Sequence, residues 1–143
     1  MSTTTMNFLR FSLQILIACV VALEAKVFTE CELAQKLSEL NFPKQNIPGW
    51  VCTAKSVSGL DTNYYNKTGD FQSFGLFKLD NEYACQLNQK GNECKARCDS
   101  LKGDDITEAA KCALKLFETF NFMYWKPTND HCTSQTTLTG CSY

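Results

Sequence analysis

The residues of this 143-residue sequence best suited to chemistry are its nine cysteines and a single histidine, His131. Cys94 and Cys98 have a spacing that metal ligands use, but no paired Cys-x-x-Cys knuckle accompanies them and one histidine is too few for a usual zinc set. Disulfide chemistry fits better. Cys31, Cys52, Cys85, Cys94, Cys98, Cys112, Cys132 and Cys141 make an even set in a short chain, which reads as a disulfide framework. Four bridges at about 2 to 4 kcal/mol each would support a domain whose core is modest for its size. Arithmetic alone does not choose among the pairings. His131, beside Cys132, reads as an ordinary surface or packed residue, and neither a metal nor a cofactor is expected.

The ninth cysteine, Cys19, lies in a segment that reads as a secretory leader. Met1 to Arg10 is polar with one cation, Phe11 to Leu23 is apolar apart from Ser12 and Gln14, and Ala25 is a small residue suited to cleavage before Lys26. The apolar run is about 13 residues, short of the roughly 20 that span a bilayer. The expected organisation is therefore a signal peptide over 1–25 and one domain over 26–143, exported and free of the membrane after cleavage. Oxidising export agrees with the disulfide reading.

Composition narrows the partners. The 14 Lys and Arg are scattered among 15 Asp and Glu, and the basic cluster at Lys95 and Arg97 is too small for a phosphate-binding surface, which excludes nucleic acid as the main ligand. Removing Arg10 and Glu24 with the leader leaves the formal charge at -1. The expected state is a monomer.

The positioning elements follow from periodicity. Thr29 with Glu32 is a capping-box signature, and Leu33, Ala34, Leu37 and Leu40 follow at helical spacing, predicting a helix over about 30–40. Pro48 suits an early helical position, and Trp50, Val51, Ala54 and Val57 form an apolar stripe that Gly59 ends. From Asn63 to Leu79 the pattern changes to strands around a Gly69-Asp70 turn. Asp105 with Glu108 suggests a second capping box before the amphipathic stripe Ile106, Ala109, Ala110, Ala113, Leu114, Phe117 and Phe120. The class is α+β, mostly helical, with a small β-hairpin lobe.

Lys26-Val-Phe, Cys31-Glu-Leu-Ala, Trp50-Val-Cys52-x-Ala-Lys55, Phe74-Gly-Leu-Phe77, Asp105-Ile-Thr107 and Cys112-Ala113 together resemble the C-type lysozyme and alpha-lactalbumin family. The resemblance spans the whole of 26–143 and includes the order of all eight cysteines. It implies a lysozyme-like fold, an α domain and a β lobe with a saccharide cleft between them. It also implies the bridges Cys31–Cys141, Cys52–Cys132, Cys85–Cys98 and Cys94–Cys112, with Trp50 in the core and Trp125 at the cleft.

The same resemblance exposes a departure. Hydrolysis with retention needs two carboxyl groups roughly 5 Å apart, a figure established on lysozymes themselves, one protonated toward the leaving oxygen and one ionised beside the developing cation. Counting five residues on from Cys52 and two back from Gly75, the family's two carboxylate positions hold Val57 and Ser73. Neither side chain can donate that proton or carry that charge. Asp61 and Asp70 match neither position and read as turn residues.

The implied cleft is also altered. Tyr83 and Ala84 stand where the family has paired tryptophans, and Lys78 and Asp80 replace its Gln and its Asn or Ser. Tyr83, Asp80, Tyr124 and Trp125 are the candidate saccharide contacts. The family's calcium-ligand side chains correspond to Gly103, Glu108 and Ala109, which retain one carboxylate, too few for a calcium cage. Asp104 and Asp105 read instead as charges at a helix N-terminus. Asn66-Lys67-Thr68 is an N-glycosylation sequon. The expected function is a secreted, non-catalytic lysozyme-like protein that binds peptidoglycan, another N-acetyl-sugar glycan or a protein partner, in immunity or reproduction. The alternatives are a residual muramidase and a regulatory subunit of the alpha-lactalbumin sort.

Overall fold

A computed structural model describes residues 26–126 and 129–143. The expected leader, with Cys19, lies outside the described residues. Helix α1 (Glu30–Glu39) begins as its sequence predicts: Thr29 Oγ1 accepts from the Glu32 amide, and the Thr29 amide donates back to Glu32 Oε2 at 2.8 Å. These backbone and side-chain bonds to Thr29 hold the Glu32 carboxyl below the usual glutamate range. Their support is present above that range and lost as pH falls through the lowered value. Thr29→Ala is expected to cost about 1 kcal/mol, read from urea denaturation at neutral pH.

Helix α2 (Ile47–Ser58) carries Pro48 in its first turn and stops at Gly59, whose φ of 64° suits a left-handed cap. Trp50, Val51, Ala54 and Val57 are buried along it. Helix α3 (Thr107–Phe120) buries Ala109, Ala110, Cys112, Ala113 and Leu116. Its start corrects the expected capping box. Ile106 occupies the cap position without a side-chain bond, while Asp105 Oδ1 accepts from the amide and hydroxyl of Thr107. Asp105 is thus one residue too early to cap the helix, and a local turn takes up its carboxylate.

Between α2 and α3 lies the β lobe. Strands β1 (Tyr65–Thr68), β2 (Phe71–Phe74) and β3 (Leu79–Asp80) form an antiparallel sheet in that order, with Asn66 opposite Ser73 and Ser73 opposite Asp80. Leu76 and Phe77, read from the sequence as strand, are buried in the turn between β2 and β3. A parallel pair, β4 (Cys85–Gln86) and β5 (Ala96–Arg97), completes the lobe.

The core is centred on Trp50, fully buried, whose ring lies 5.0 to 5.7 Å from those of Trp125, Phe122, Phe117, Phe42 and Phe77. The four bridges Cys31–Cys141, Cys52–Cys132, Cys85–Cys98 and Cys94–Cys112 tie this core to the chain ends and the lobe. Two contacts fix lobe to core. The Ser58 hydroxyl at the end of α2 lies 2.6 Å from the Leu76 carbonyl, and the Trp125 indole N–H donates to the Phe77 carbonyl at 2.7 Å.

Candidate functional site

A cleft of about 370 Å³ opens where the lobe meets the end of α3, lined by Phe71, Asp80, Glu82, Tyr83, Phe120 and Tyr124. Strand alternation puts Phe71 and Ser73 on one face of β2, and Asp80 lies opposite Ser73, so Phe71 and Asp80 reach the cleft from the same face of the sheet. Phe120 reaches it because α3 ends there: Asn121 turns the chain with a φ of 54°, and a 3-10 helix, Asn121–Trp125, carries Tyr124 back under the lobe. Tyr83 is half exposed, and its ring meets Phe120 edge-on at 6.3 Å.

Asp80 organises the polar side of this cleft although only 7 % of it is exposed. Its Oδ1 accepts from the amides of Glu82 and Tyr83 at 2.9 and 2.7 Å, and its Oδ2 accepts a short hydrogen bond from the Tyr124 hydroxyl. The Asp80 amide in turn donates to the Tyr124 oxygen at 3.1 Å. Burial, then the charge of Asp80, pushes the Tyr124 phenol well above the ordinary tyrosine range. The Asn92 side-chain amide adds bonds to the carbonyls of Asn81, Glu82 and Cys85, pinning the segment that presents Tyr83.

This arrangement makes Tyr124 a permanent neutral donor to a carboxylate. Tyr124→Phe is expected to cost about 2 kcal/mol, because it leaves a buried carboxylate oxygen without its donor. The parent chain should also lose stability as pH rises past about 10, where an unfolded tyrosine ionises and the folded one does not. Denaturation midpoints between pH 7 and 11 check both, since the Phe variant lacks that contribution to the alkaline slope.

The sequence-derived candidates divide between this cleft and its surroundings. Asp80, Tyr83 and Tyr124 line it together, whereas Trp125 is 2 % exposed and stands behind it, packed against Trp50 and Tyr124. Val57 is buried in α2 and Ser73 in β2, its hydroxyl without a partner among the described residues. Asn66 is exposed on β1. Sequence reasoning passed over two wall residues, Phe71 and Phe120, having read them as hairpin and helix-stripe residues. The signal was weak in both cases, since periodicity alone marks an aromatic at the last position of a helix as core and a four-residue strand is too short to show which of its faces lines a cleft.

Two other groupings have bland explanations. Cys52, His131 and Cys132 bring ligand atoms together, but both sulfurs are in one disulfide and His131 is exposed beside Asp130. Ala109 is buried in the first turn of α3, and in the loop before it Asp104 Oδ1 accepts from the Lys26 amide and the Thr62 hydroxyl. That carboxylate anchors the start of the domain.

An α domain, a small β lobe and an intervening cleft joined by this set of bridges define a lysozyme-like architecture. Comparison agrees: residues 26–141 match the profile of the C-type lysozyme/alpha-lactalbumin family. Lysozyme c-1 of Anopheles gambiae is 35% identical over 118 residues, covering 82% of this chain and 84% of its own. Alpha-lactalbumin of Capra hircus is 35% identical over 108 residues, covering 73% and 76% respectively. The crystal structure of lysozyme from Equus asinus superposes with a TM-score of 0.68 at 28% identity, covering 80% of this chain and 94% of that one. The chain belongs to the C-type lysozyme/alpha-lactalbumin family, which contains active lysozymes and non-enzymatic alpha-lactalbumins alike.

Proposed function

We propose that this chain is exported and binds N-acetyl-sugar glycans of the peptidoglycan or chitin type without hydrolysing them. The observation that carries the reading is the pairing of an aromatic-lined cleft with Val57 and Ser73 at the two positions where the family's hydrolases keep carboxylates. Sugar faces stack on aromatic rings, and Tyr83, Phe71 and Phe120 offer such surfaces.

The remaining carboxylates are poor substitutes. Asp80 has both oxygens committed to three donors, and Asp61 Oδ1 accepts from the Asn63 amide in a turn. Asp70 sits exposed at the hairpin turn, and Glu82 is exposed at the cleft edge. Export is supported by the leader-like segment, and no described helix is long and apolar enough to cross a membrane.

Incubation of the purified chain with insoluble peptidoglycan tests the reading by scoring both protein retained on the pellet and fragments released. Retention without fragments is expected, with Tyr83→Ala weakening it about two- to tenfold, the range of one aromatic contact. Release of reducing ends would overturn the non-hydrolytic half. Absence of both retention and release would overturn the glycan half and favour a protein partner, for which the exposed side chains of Phe120 and Met123 offer apolar surface.

A further inference from the structure

We propose that Asn66 carries an N-linked glycan that stands on the wall of the cleft and competes with outside saccharide for it; the competition, though not the glycan's position, rests on the cleft being a saccharide site. In the sequon Asn66-Lys67-Thr68 the first and third residues lie on the same face of β1. The register carries that face across the sheet: Asn66 pairs with Ser73, Thr68 with Phe71, and Ser73 with Asp80. Phe71 and Asp80 line the cleft, so the sequon shares the cleft face. The opposite face is accounted for separately, by Tyr65 against Phe74 at 5.3 Å with the Lys102 ammonium over both rings.

Distances follow from sheet geometry. Asn66 is the diagonal neighbour of Phe71, about 7 to 8 Å away, and two strand spacings, about 10 Å, from Asp80. The first sugar rings linked to Asn66 would therefore lie over Phe71 and the cleft mouth. All four residues of β1 are exposed, and β1 is an edge strand, so a glycan there meets no neighbouring strand. The Asn66 side-chain amide has no hydrogen-bond partner among the described residues.

Attachment needs the secretory pathway's oligosaccharide transferase and its lipid-linked diphosphate oligosaccharide donor. The Asn66 Nδ2 attacks C1 of the first N-acetylglucosamine, the C1–N bond forms as the C1–O bond to the lipid diphosphate breaks, and the amide nitrogen gives up one proton. Two consequences meet at one wall. The attached sugars are of the same N-acetyl class that the cleft is proposed to bind, and they are held there at a high effective concentration.

The full chain expressed through a glycosylating secretory host provides the test, with intact mass, hydroxyl-radical footprinting and chitin-oligomer titration as readouts. The parent and Thr68→Ser should carry a glycan mass that Asn66→Gln and Thr68→Ala lack. Phe71 should be labelled more slowly with the glycan present, whether or not any saccharide binds. If the glycan covers the cleft about nine-tenths of the time, enzymatic removal should tighten chitin-oligomer binding about tenfold. A parent without glycan mass overturns the proposal, as does equal labelling of Phe71 with and without it, or equal affinity in a chain that does bind saccharide. Protection of Phe71 together with no saccharide binding by any form upholds the glycan's position and overturns both the proposed competition and the glycan-binding function.

Discussion

A chain carrying Val57→Glu, Ser73→Asp and Asp80→Asn together is expected to release reducing ends from peptidoglycan, while the parent and the Val57→Glu, Ser73→Asp pair release none. The argument begins at Val57, buried in α2 among Trp50, Ala54 and the rest of the apolar core. Burial there would raise the pKa of an introduced glutamate, as a general acid requires. Ser73 differs, because it stands directly opposite Asp80 in the β2–β3 register and both are buried. An aspartate at 73 would face a second carboxylate across the ladder, and like charges so placed are destabilising and cannot both ionise readily. The Ser73 and Asp80 combination is thus internally consistent, and restoring one carboxylate requires neutralising the other. Asparagine at 80 keeps an oxygen for the Glu82 and Tyr83 amides.

General acid–base participation contributes about 10²- to 10⁴-fold, so the triple variant should exceed the parent's background by at least about 10²-fold. Far-UV circular dichroism and the chemical denaturation midpoint establish that each variant folds. A folded triple variant that releases nothing between pH 4 and pH 8, about the span over which a raised glutamate would titrate, sinks the idea that the two carboxylates are what hydrolysis lacks. Tyr83 and Ala84, where the family resemblance implies paired tryptophans, would then become the limiting difference.

How far the fold could be read from the sequence depended on how local its determinants are. The capping box at Thr29 and Glu32 and the stop at Gly59 act within four residues, and α1 and α2 begin and end where those signals predict. The pair β4–β5 has two residues per strand, too few for any periodicity, and is held beside the Cys85–Cys98 bridge. The cleft was legible in part. Tyr83 and Asp80 could be placed by their neighbours Cys85 and Gly75, but the partner that defines the geometry of Asp80 is Tyr124, 44 positions away. Phe120 was misjudged because helical periodicity predicts a buried face only while another element covers it, and at the end of α3 the chain turns away.

Gly75→Ala is expected to be the most destabilising single methyl group that can be added to the lobe, costing about 3 kcal/mol or more. Gly75 has a φ of 70°, which an alanine adopts only with strain. A Cβ added there would collide with the Leu101 carbonyl oxygen, a backbone atom that cannot rotate aside. Leu101 ends the 3-10 helix Cys98–Leu101, whose first residue is bridged to Cys85, so retreat on that side is opposed by a disulfide. Retreat by Gly75 would disturb its 2.7 Å amide bond to the Tyr64 carbonyl and, two residues back, the Ser73 and Asp80 row behind the cleft. Gly69→Ala is the matching control: its φ of 61° imposes a comparable backbone strain, yet nothing lies within 4 Å of its added methyl. That variant should cost about 1 to 2 kcal/mol, the left-handed penalty alone. Urea denaturation of the two variants side by side separates strain from collision, and equal costs would mean that the lobe yields at Leu101 and that the close approach of β2 to the 3-10 helix does not hold the cleft wall in place.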